Sequence, residues 1–325
     1  MKLKATAKSI KHAASIIKKG GLVAFPTETV YGLGADALNP RAVAKIFEIK
    51  KRPAFDPLIV HIAEMEWLHK LTRQVDKKAL ILIKKFWPGP LTLVLLKSSL
   101  VPDIVTAGLD TVAVRMPAHP VARQLIKFSQ TPIAAPSANL FGCLSPTTAT
   151  HVEKQLGKKI DLILDAGKCS VGVESTVLSL VGGKPVLLRP GGLPVEEIEK
   201  AIGKVVRHVY WQASKSKNKK IQSPGQLPSH YSPRTPMKLI KSLEQIPFSN
   251  DTGVLLFKKP AIKIKVGVVE ILSEKGDLTE AAANLFSALH RLDDAGVKII
   301  YAERIPAVGL GSAIMDRLQR ASFKE

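Results

Sequence analysis

Hydrophobic and polar positions over the first 200 residues follow two periods. Ile10, Ala13, Ala14 and Ile17 recur at helical spacing, and Gly20 sits at the C′ position that ends such a helix. The apolar run from Leu22 to Phe25 predicts a strand stopped by Pro26. Asn39-Pro40 reads as an N-cap with proline at N1, opening a helix through Val43, Ile46 and Phe47. Short apolar runs predict further strands over 58–62, 91–96, 111–115, 133–135, 162–164, 176–181 and 185–189. Helices are predicted around 77–86, 119–128 and 147–155. This mixture predicts an α/β or α+β domain on a large twisted sheet, whose pairing order the pattern does not fix.

The pattern breaks after residue 200. Between Glu199 and Glu244 there is no acidic residue, while Lys or Arg recurs ten times. Within that stretch, Ser214 to Lys220 is polar and cationic, and SPGQLPSHYSPRTP is dense in proline; both are linker compositions. Strand signals resume at 237–240, 253–257 and 266–271, followed by a helix over 279–292, a strand over 297–302 and a closing helix over 312–321. The predicted division is a domain over 1–206, a linker over 207–237 and a smaller α/β domain over 238–325, without an internal repeat.

Composition narrows the class. A chain of 325 residues corresponds to about two domains. With 46% hydrophobic and 23% charged residues it reads as a soluble globular protein. The net charge of +21 favours anionic partners such as nucleotides or RNA. Cys143 and Cys169 are too far apart for a CxxC pattern and too few for a disulfide scaffold, which fits a reducing compartment. The cationic N-terminus lacks the apolar core of a secretory signal, and no run approaches the ~18 apolar residues of a membrane helix. A cytoplasmic protein without membrane contact is expected.

Common motifs fail on context. Gly32-Leu33-Gly34-Ala35-Asp36-Ala37 matches G-x-G-x-x-G/A in letters only: Pro26 and Thr27-Glu28-Thr29 interrupt the approach, and Asn39-Pro40 starts the helix too late. There is no P-loop, no H-E-x-x-H and no G-x-S-x-G, and the eight histidines are scattered, which gives a protein-built metal site little support. Three polar segments nevertheless interrupt apolar surroundings: Pro26 to Gly34; Lys50-Lys51-Arg52-Pro53 with Asp56 to His61; and Ala135-Pro136-Ser137-Ala138-Asn139. Lys50 and Arg52 read either as a solvated helix end or as a phosphate clamp. Ser137 and Asn139 read as a turn or as donors to phosphate. His61 reads as a structural histidine or a ligand contact. Arg115, at the end of a buried strand, needs an anion. Glu174-Ser175-Thr176 and Arg189-Pro190-Gly191 repeat the pattern of polar groups at strand ends. Together these segments describe a cleft built for an anion.

AFPTETVYGLGAD, K-x-R-P with PLIVHI, WPGPLT, AGLDTVAVRMPAHP, APSAN, GVESTV and LLRPG occur in order over residues 20–192. This series resembles the YrdC-type catalytic domain of threonylcarbamoyl-AMP synthases. SPGQLPSHYSP and the closing GLGSAIMDRLQRAS resemble the long two-domain form. The resemblance implies an α/β fold: a YrdC-like twisted-sheet domain followed by a smaller Rossmann-like α/β domain. It implies a nucleotidyltransferase reaction in which L-threonine, bicarbonate and ATP give threonylcarbamoyl-AMP and pyrophosphate, for N6-threonylcarbamoyladenosine in tRNA. Separate transferase proteins of tRNA modification are the implied consumers of the product. By the same resemblance Lys50, Arg52, Ser137 and Asn139 form the signature around the phosphates. Thr29, His61, Arg115 and Ser175, with the backbone near Ala135, fall where threonine is held. Thr111, Ser145, Arg189 and Tyr231 fall on nucleotide contacts. Asp56 stands where many relatives carry Asn; a carboxylate there repels a triphosphate unless Mg²⁺ lies between.

The implied chemistry suits these residue types. A carbamate oxygen on threonine attacks the α-phosphorus of ATP, which calls for positioning and charge neutralisation more than covalent help. Mg²⁺ is expected to be held mainly by the ATP phosphates and water. Arg115 is expected to pair with the threonine carboxylate, and substitution of Lys50 is expected to leave the fold intact. A non-catalytic RNA-binding protein is the rival from another class: charge and linker favour weak non-specific RNA binding, while 5% aromatic residues without a stacking motif oppose it. A carbamoyl-transferring adenylation domain is a second rival, lacking here its usual acylphosphatase and zinc-finger segments.

Overall fold

The computed structural model describes residues 1–207, 230–247, 249–262 and 264–323. The basic part of the linker, from Ser214 to Lys220, lies outside the described residues. Strand β1 (Lys2–Lys4) leads into α1 (Ala7–Lys18), which turns Ile10, Ala13, Ala14 and Ile17 inward and ends before Gly20 at φ +76°. Strands β2 (Val23–Phe25) and β3 (Gly32–Asp36) pair antiparallel. The glycine-rich segment is therefore a strand that the sequence pattern did not predict. A Cβ on Gly34 would lie 2.7 Å from both Ile133 and Phe25, so its glycine serves close packing and not phosphate approach.

Helix α2 (Pro40–Lys50) has the predicted start: the Asn39 side chain accepts from the Arg41 and Ala42 amides, with Pro40 at N1. Strand β4 (Ile59–His61), helices α3 (Met65–Leu71) and α4 (Lys77–Phe86), strand β5 (Leu91–Leu96), helix α5 (Asp103–Thr106) and strand β6 (Thr111–Arg115) follow. Then come α6 (Pro120–Ser129), β7 (Ile133–Ala134), α7 (Ala149–Leu156), β8 (Leu162–Asp165), β9 (Thr176–Ser179), β10 (Val186–Arg189), α8 (Val195–Ile202) and β11 (Val206–Arg207). Among the described residues these strands form one mixed eleven-stranded sheet, ordered β1-β8-β2-β3-β7-β4-β6-β5-β9-β10-β11.

Alternation along the central strands decides which face carries chemistry. Val60, Leu93 and Val114 enter the main core, with Ile46 and Ala42 of α2. Ile59, His61, Ala113 and Arg115 turn to the other face, which α1 and α6 cover over β8, β2 and β7 through Ile10, Phe25, Leu125 and Ile133, and which carries beside them a small apolar cluster of Ile59, Val94, Ala113, Val177 and Leu188.

The second unit comprises β12 (Met237–Ile240), β13 (Thr252–Leu256), β14 (Val268–Ile271), α9 (Leu278–Asp294), β15 (Ile299–Glu303) and α10 (Leu310–Ala321). Its four strands are all parallel, in the order β12-β15-β13-β14. Its core is not separate from the first domain: Val30, Leu144, Val173 and Tyr231 join Phe286, Leu289 and Ile314 in one apolar cluster. Gly172, at φ +77°, lies so close to α9 that a Cβ would stand 2.4 Å from the Ala282 carbonyl oxygen.

Candidate active site

The cleft lies on this second face of the sheet, among loops that leave its central strands. Thr27 and Thr29 follow β2; Ile59 and His61 come from β4, and Arg115 from the adjacent β6, in register with His61. Ala135, Pro136 and Ser137 follow β7, Glu174 and Ser175 precede β9, and Arg189 ends β10. Arg52 enters from the loop after α2, and His230 and Tyr231 cover the cleft from the chain that leads to the second domain. Thr29, His61, Arg115, Ala135, Ser137, Ser175, Arg52, Arg189 and Tyr231 are thus brought together around one space.

Four other residues of the predicted set stand behind this lining. Lys50, at the end of α2, is 1% exposed, and its Nζ donates to the carbonyl oxygens of Ser137, at 2.6 Å, and Asn139. It holds the 137–139 loop from beneath and does not itself line the cleft, where a phosphate clamp was expected. Asn139 donates to the carbonyls of Leu140 and Cys143, each at 2.8 Å. Ser145 reaches the cleft only through Glu174, to whose carboxylate its hydroxyl donates. Asp56 is buried against Arg52, with Oδ2 2.9 Å from Nη2. Thr111 is the exception. It begins β6 on the same face as Arg115 but four residues earlier, about 13 Å along the strand, and does not line the cleft.

The anion that Arg115 requires is part of the protein. Its Nη2 donates to Glu28 at 2.6 Å, Nη1 to the Thr29 hydroxyl at 2.9 Å and Nε to the Gly89 carbonyl at 3.2 Å. Pairing with a substrate carboxylate is therefore restricted to the two N–H groups those bonds leave over. Arg52 spends Nε on the Asp56 carbonyl at 3.0 Å and Nη2 on the Pro57 carbonyl at 2.8 Å, and neither bond uses Nη1. Arg189 donates from Nε and Nη2 to the Ser175 carbonyl, at 3.2 and 2.9 Å. The glycine after Pro190 permits this geometry, because a Cβ on Gly191 would stand 2.3 Å from the Ser175 carbonyl carbon.

Burial and these charges set the protonation states. Burial, with Arg115 beside it, pushes His61 down to about 3, so the ring is neutral at neutral pH. Burial would raise Glu28, but the Arg115 charge outweighs it and holds the carboxyl below its usual range. Burial raises Asp56 against the pull of Arg52, Lys50 and Arg189. Burial also raises the Tyr231 phenol, which stays protonated. Several buried polar atoms without a hydrogen bond within the described residues gather here: His61 Nδ1, His230 Nδ1, Glu28 Oε2 and Arg317 Nη2. Folded chains rarely tolerate such groups, and their concentration marks a site built for polar ligands.

Sequence reasoning left Glu28, Glu174, His230 and Arg317 unassigned. Glu28 lies inside the polar segment before β3 and Glu174 at the polar start of β9, so both carried a signal. His230 and Arg317 carried one only in their neighbours, Tyr231 and the closing motif. Among the described residues no group of three or more His, Cys, Asp or Glu side chains is arranged to hold a metal ion, and no helix is long and apolar enough to cross a membrane.

A cationic cleft on a mixed sheet, closed by a second α/β unit, defines the class as an α/β protein with a site for anionic ligands. The Sua5/YciO/YrdC family model, described as telomere recombination, matches residues 15–191, and the model described as the threonylcarbamoyl-AMP synthase C-terminal domain matches 193–322. The chain belongs to this Sua5/YciO/YrdC family, in its form with the additional C-terminal domain. It is 48% identical over 324 residues to the Pyrococcus abyssi protein named threonylcarbamoyl-AMP synthase, covering 96% of this chain and 94% of the relative. A Bacillus subtilis protein of the same name is 46% identical, with 96% and 92% covered. The crystal structure of P. abyssi Sua5 complexed with L-threonine superposes with a TM-score of 0.89 at 44% identity, covering 99% of this chain and 96% of that one.

Proposed function

We propose that this chain is a threonylcarbamoyl-AMP synthase, a nucleotidyltransferase that converts L-threonine, bicarbonate and ATP into threonylcarbamoyl-AMP and pyrophosphate. The observation that carries the reading is the convergence of Arg52, Arg115 and Arg189 on one cleft with neutral His61 and the hydroxyls of Thr29, Ser137 and Ser175. Its family membership and the names of its relatives support the same reading.

The Thr29, His61, Arg115, Ala135 and Ser175 side of the cleft takes threonine. Two spare N–H groups of Arg115 face its carboxylate, and the neutral imidazole accepts a hydrogen bond from its hydroxyl or amine. Arg52, Ser137 and Arg189 receive the phosphates, with Tyr231 over them. Lys50, Asn139, Asp56 and Ser145 act from behind by fixing those groups. ATP enters as its magnesium complex, the ion held mainly by phosphate oxygens and water. The threonine amine, as its free base, bonds to the bicarbonate carbon with loss of water; an oxygen of the resulting carbamate attacks the α-phosphorus, pyrophosphate leaves, and the protein supplies alignment and charge. The product is an activated threonylcarbamoyl group that a separate tRNA-modifying transferase consumes.

A pyrophosphate-release assay with threonine, bicarbonate, ATP and magnesium omitted in turn tests this directly. Release that depends on all four supports the assignment. Release that ignores threonine or bicarbonate refutes it.

A further inference from the structure

The closing motif GLGSAIMDRLQRAS lies in the second domain, yet its arginine reaches the catalytic cleft. Gly311 lets α10 start hard against the preceding turn, where a Cβ would stand 1.9 Å from the Pro306 carbonyl oxygen. Arg317, six residues and nearly two turns further on, is fully buried. Its Nε donates to Glu174 Oε2 at 2.8 Å, and its Nη1 to the Pro190 carbonyl at 2.9 Å. Its guanidinium lies 4.9 Å from the centre of the Tyr231 ring. Glu174 and Tyr231 both line the cleft, and Pro190 follows Arg189.

A count of charge gives this contact its meaning. Arg52 is paired with Asp56, and Arg115 with Glu28. Glu174 is the third carboxylate, close enough to Arg189 to feel its charge. Three arginines and three carboxylates cancel, which leaves only Lys50, whose charge burial disfavours, and little attraction for a triphosphate. Arg317 is the fourth guanidinium. The neighbouring Asp316, 2.7 Å from Arg317 Nη1, is shared with Arg320 at 3.0 Å, so it does not consume the surplus. Burial would raise the Glu174 carboxyl, but Arg317 and Arg189 outweigh it and hold Glu174 ionised.

We propose that Arg317 is a positioning residue of the nucleotide site, supplied by the C-terminal domain: by neutralising and holding Glu174 it leaves the Arg189 side of the cleft with the net positive charge that binds the ATP phosphates. This rests on the assignment of ATP as substrate. It also gives the C-terminal domain a task in the reaction, since truncation would remove a cleft charge.

The test is calorimetric titration of the full chain with magnesium-ATP, and separately with L-threonine, alongside thermal melting. Arg317→Gln is expected to weaken ATP at least tenfold while threonine affinity stays within twofold. Adding Glu174→Gln to that variant removes the uncompensated carboxylate and is expected to bring ATP affinity back within threefold of wild type. Arg317→Lys keeps the charge and is expected to stay within threefold on its own; it carries the test if Arg317→Gln does not fold. Equal loss of both ligands, no recovery in the double variant, or a tenfold loss in Arg317→Lys would each overturn the proposal. Wild-type protein that binds ATP but releases no threonine-dependent pyrophosphate would instead overturn the assigned reaction and leave the Arg317 result standing.

Discussion

Lys50 is the residue for which sequence and geometry give opposite predictions. A lysine held ready for a phosphate is a cost to the ligand-free protein, because burial penalises its charge. Replacing it with an apolar side chain of similar length should then leave the free protein equally stable or more so. The structure gives Nζ two carbonyl acceptors, Ser137 and Asn139, on the loop that lines the cleft. Burial pushes the Lys50 pKa well down, but an amine donates to both carbonyls in either protonation state. Lys50→Met fills the space, so no cavity is added, and it strands the buried Asn139 carbonyl and the partly buried Ser137 carbonyl at about 1–3 kcal/mol each. Urea unfolding of the ligand-free variant should therefore show a loss of roughly 2–6 kcal/mol, with pyrophosphate release falling as the Ser137 loop relaxes. A variant as stable as wild type that has still lost activity would refute the loop clamp and restore the phosphate contact.

Arg52→Ala should cut threonine-dependent pyrophosphate release by roughly 30- to 1,000-fold, the equivalent of ~2–4 kcal/mol for a buried charge-assisted contact, and unchanged rates at subsaturating ATP would remove Arg52 from the site. His61, with its folded pKa near 3, binds fewer protons than the unfolded chain between that value and 6.5, so its contribution is complete above pH 6.5 and is lost as pH falls toward 3. Between pH 7 and 4.5 this amounts to about 2–3 kcal/mol, and His61→Gln should remove that part of the slope in urea unfolding; identical slopes would contradict it. Gly172→Ala places a methyl 2.4 Å from the Ala282 carbonyl at φ +77°, so the two domains should part, at a cost of at least about 2 kcal/mol read as an earlier urea transition, and an unshifted transition would show that the docking is soft.

Local signals carried much of the fold into view. The helix over α2 was legible because Asn39-Pro40 is a self-contained start, and β5 and β6 because their apolar runs are long. Strand β3 was not, since Gly32 and Gly34 have low strand preference and are there to clear Phe25, Ile133 and Ala135, neighbours that only pairing order brings close. Strand β1, with three residues and two of them lysine, carries no periodicity; it exists through pairing with β8, where Lys2 lies opposite Ile163. Thr111 and Arg115 share a face by parity, but parity says nothing of the distance that separates them along β6.

The site was legible in its cations and hydroxyls and misread in its carboxylates, for an electrostatic reason. An arginine at a strand end announces that an anion is needed, but one sequence cannot say whether a ligand or the protein supplies it. Here the protein supplies Glu28 to Arg115, Asp56 to Arg52 and Glu174 to Arg317. Each carboxylate fixes an arginine that would otherwise sample several rotamers, at the expense of the field that draws a nucleotide. Rigidity and attraction therefore compete within one cleft, and a formal charge of +21 does not decide the contest because most of that surplus lies elsewhere on the molecule. What decides it is the local difference between cations and carboxylates, to which α10 contributes from outside the catalytic sheet. A two-domain chain of this kind can thus hold its arginines firmly and still bind a triphosphate, provided the second domain stays docked.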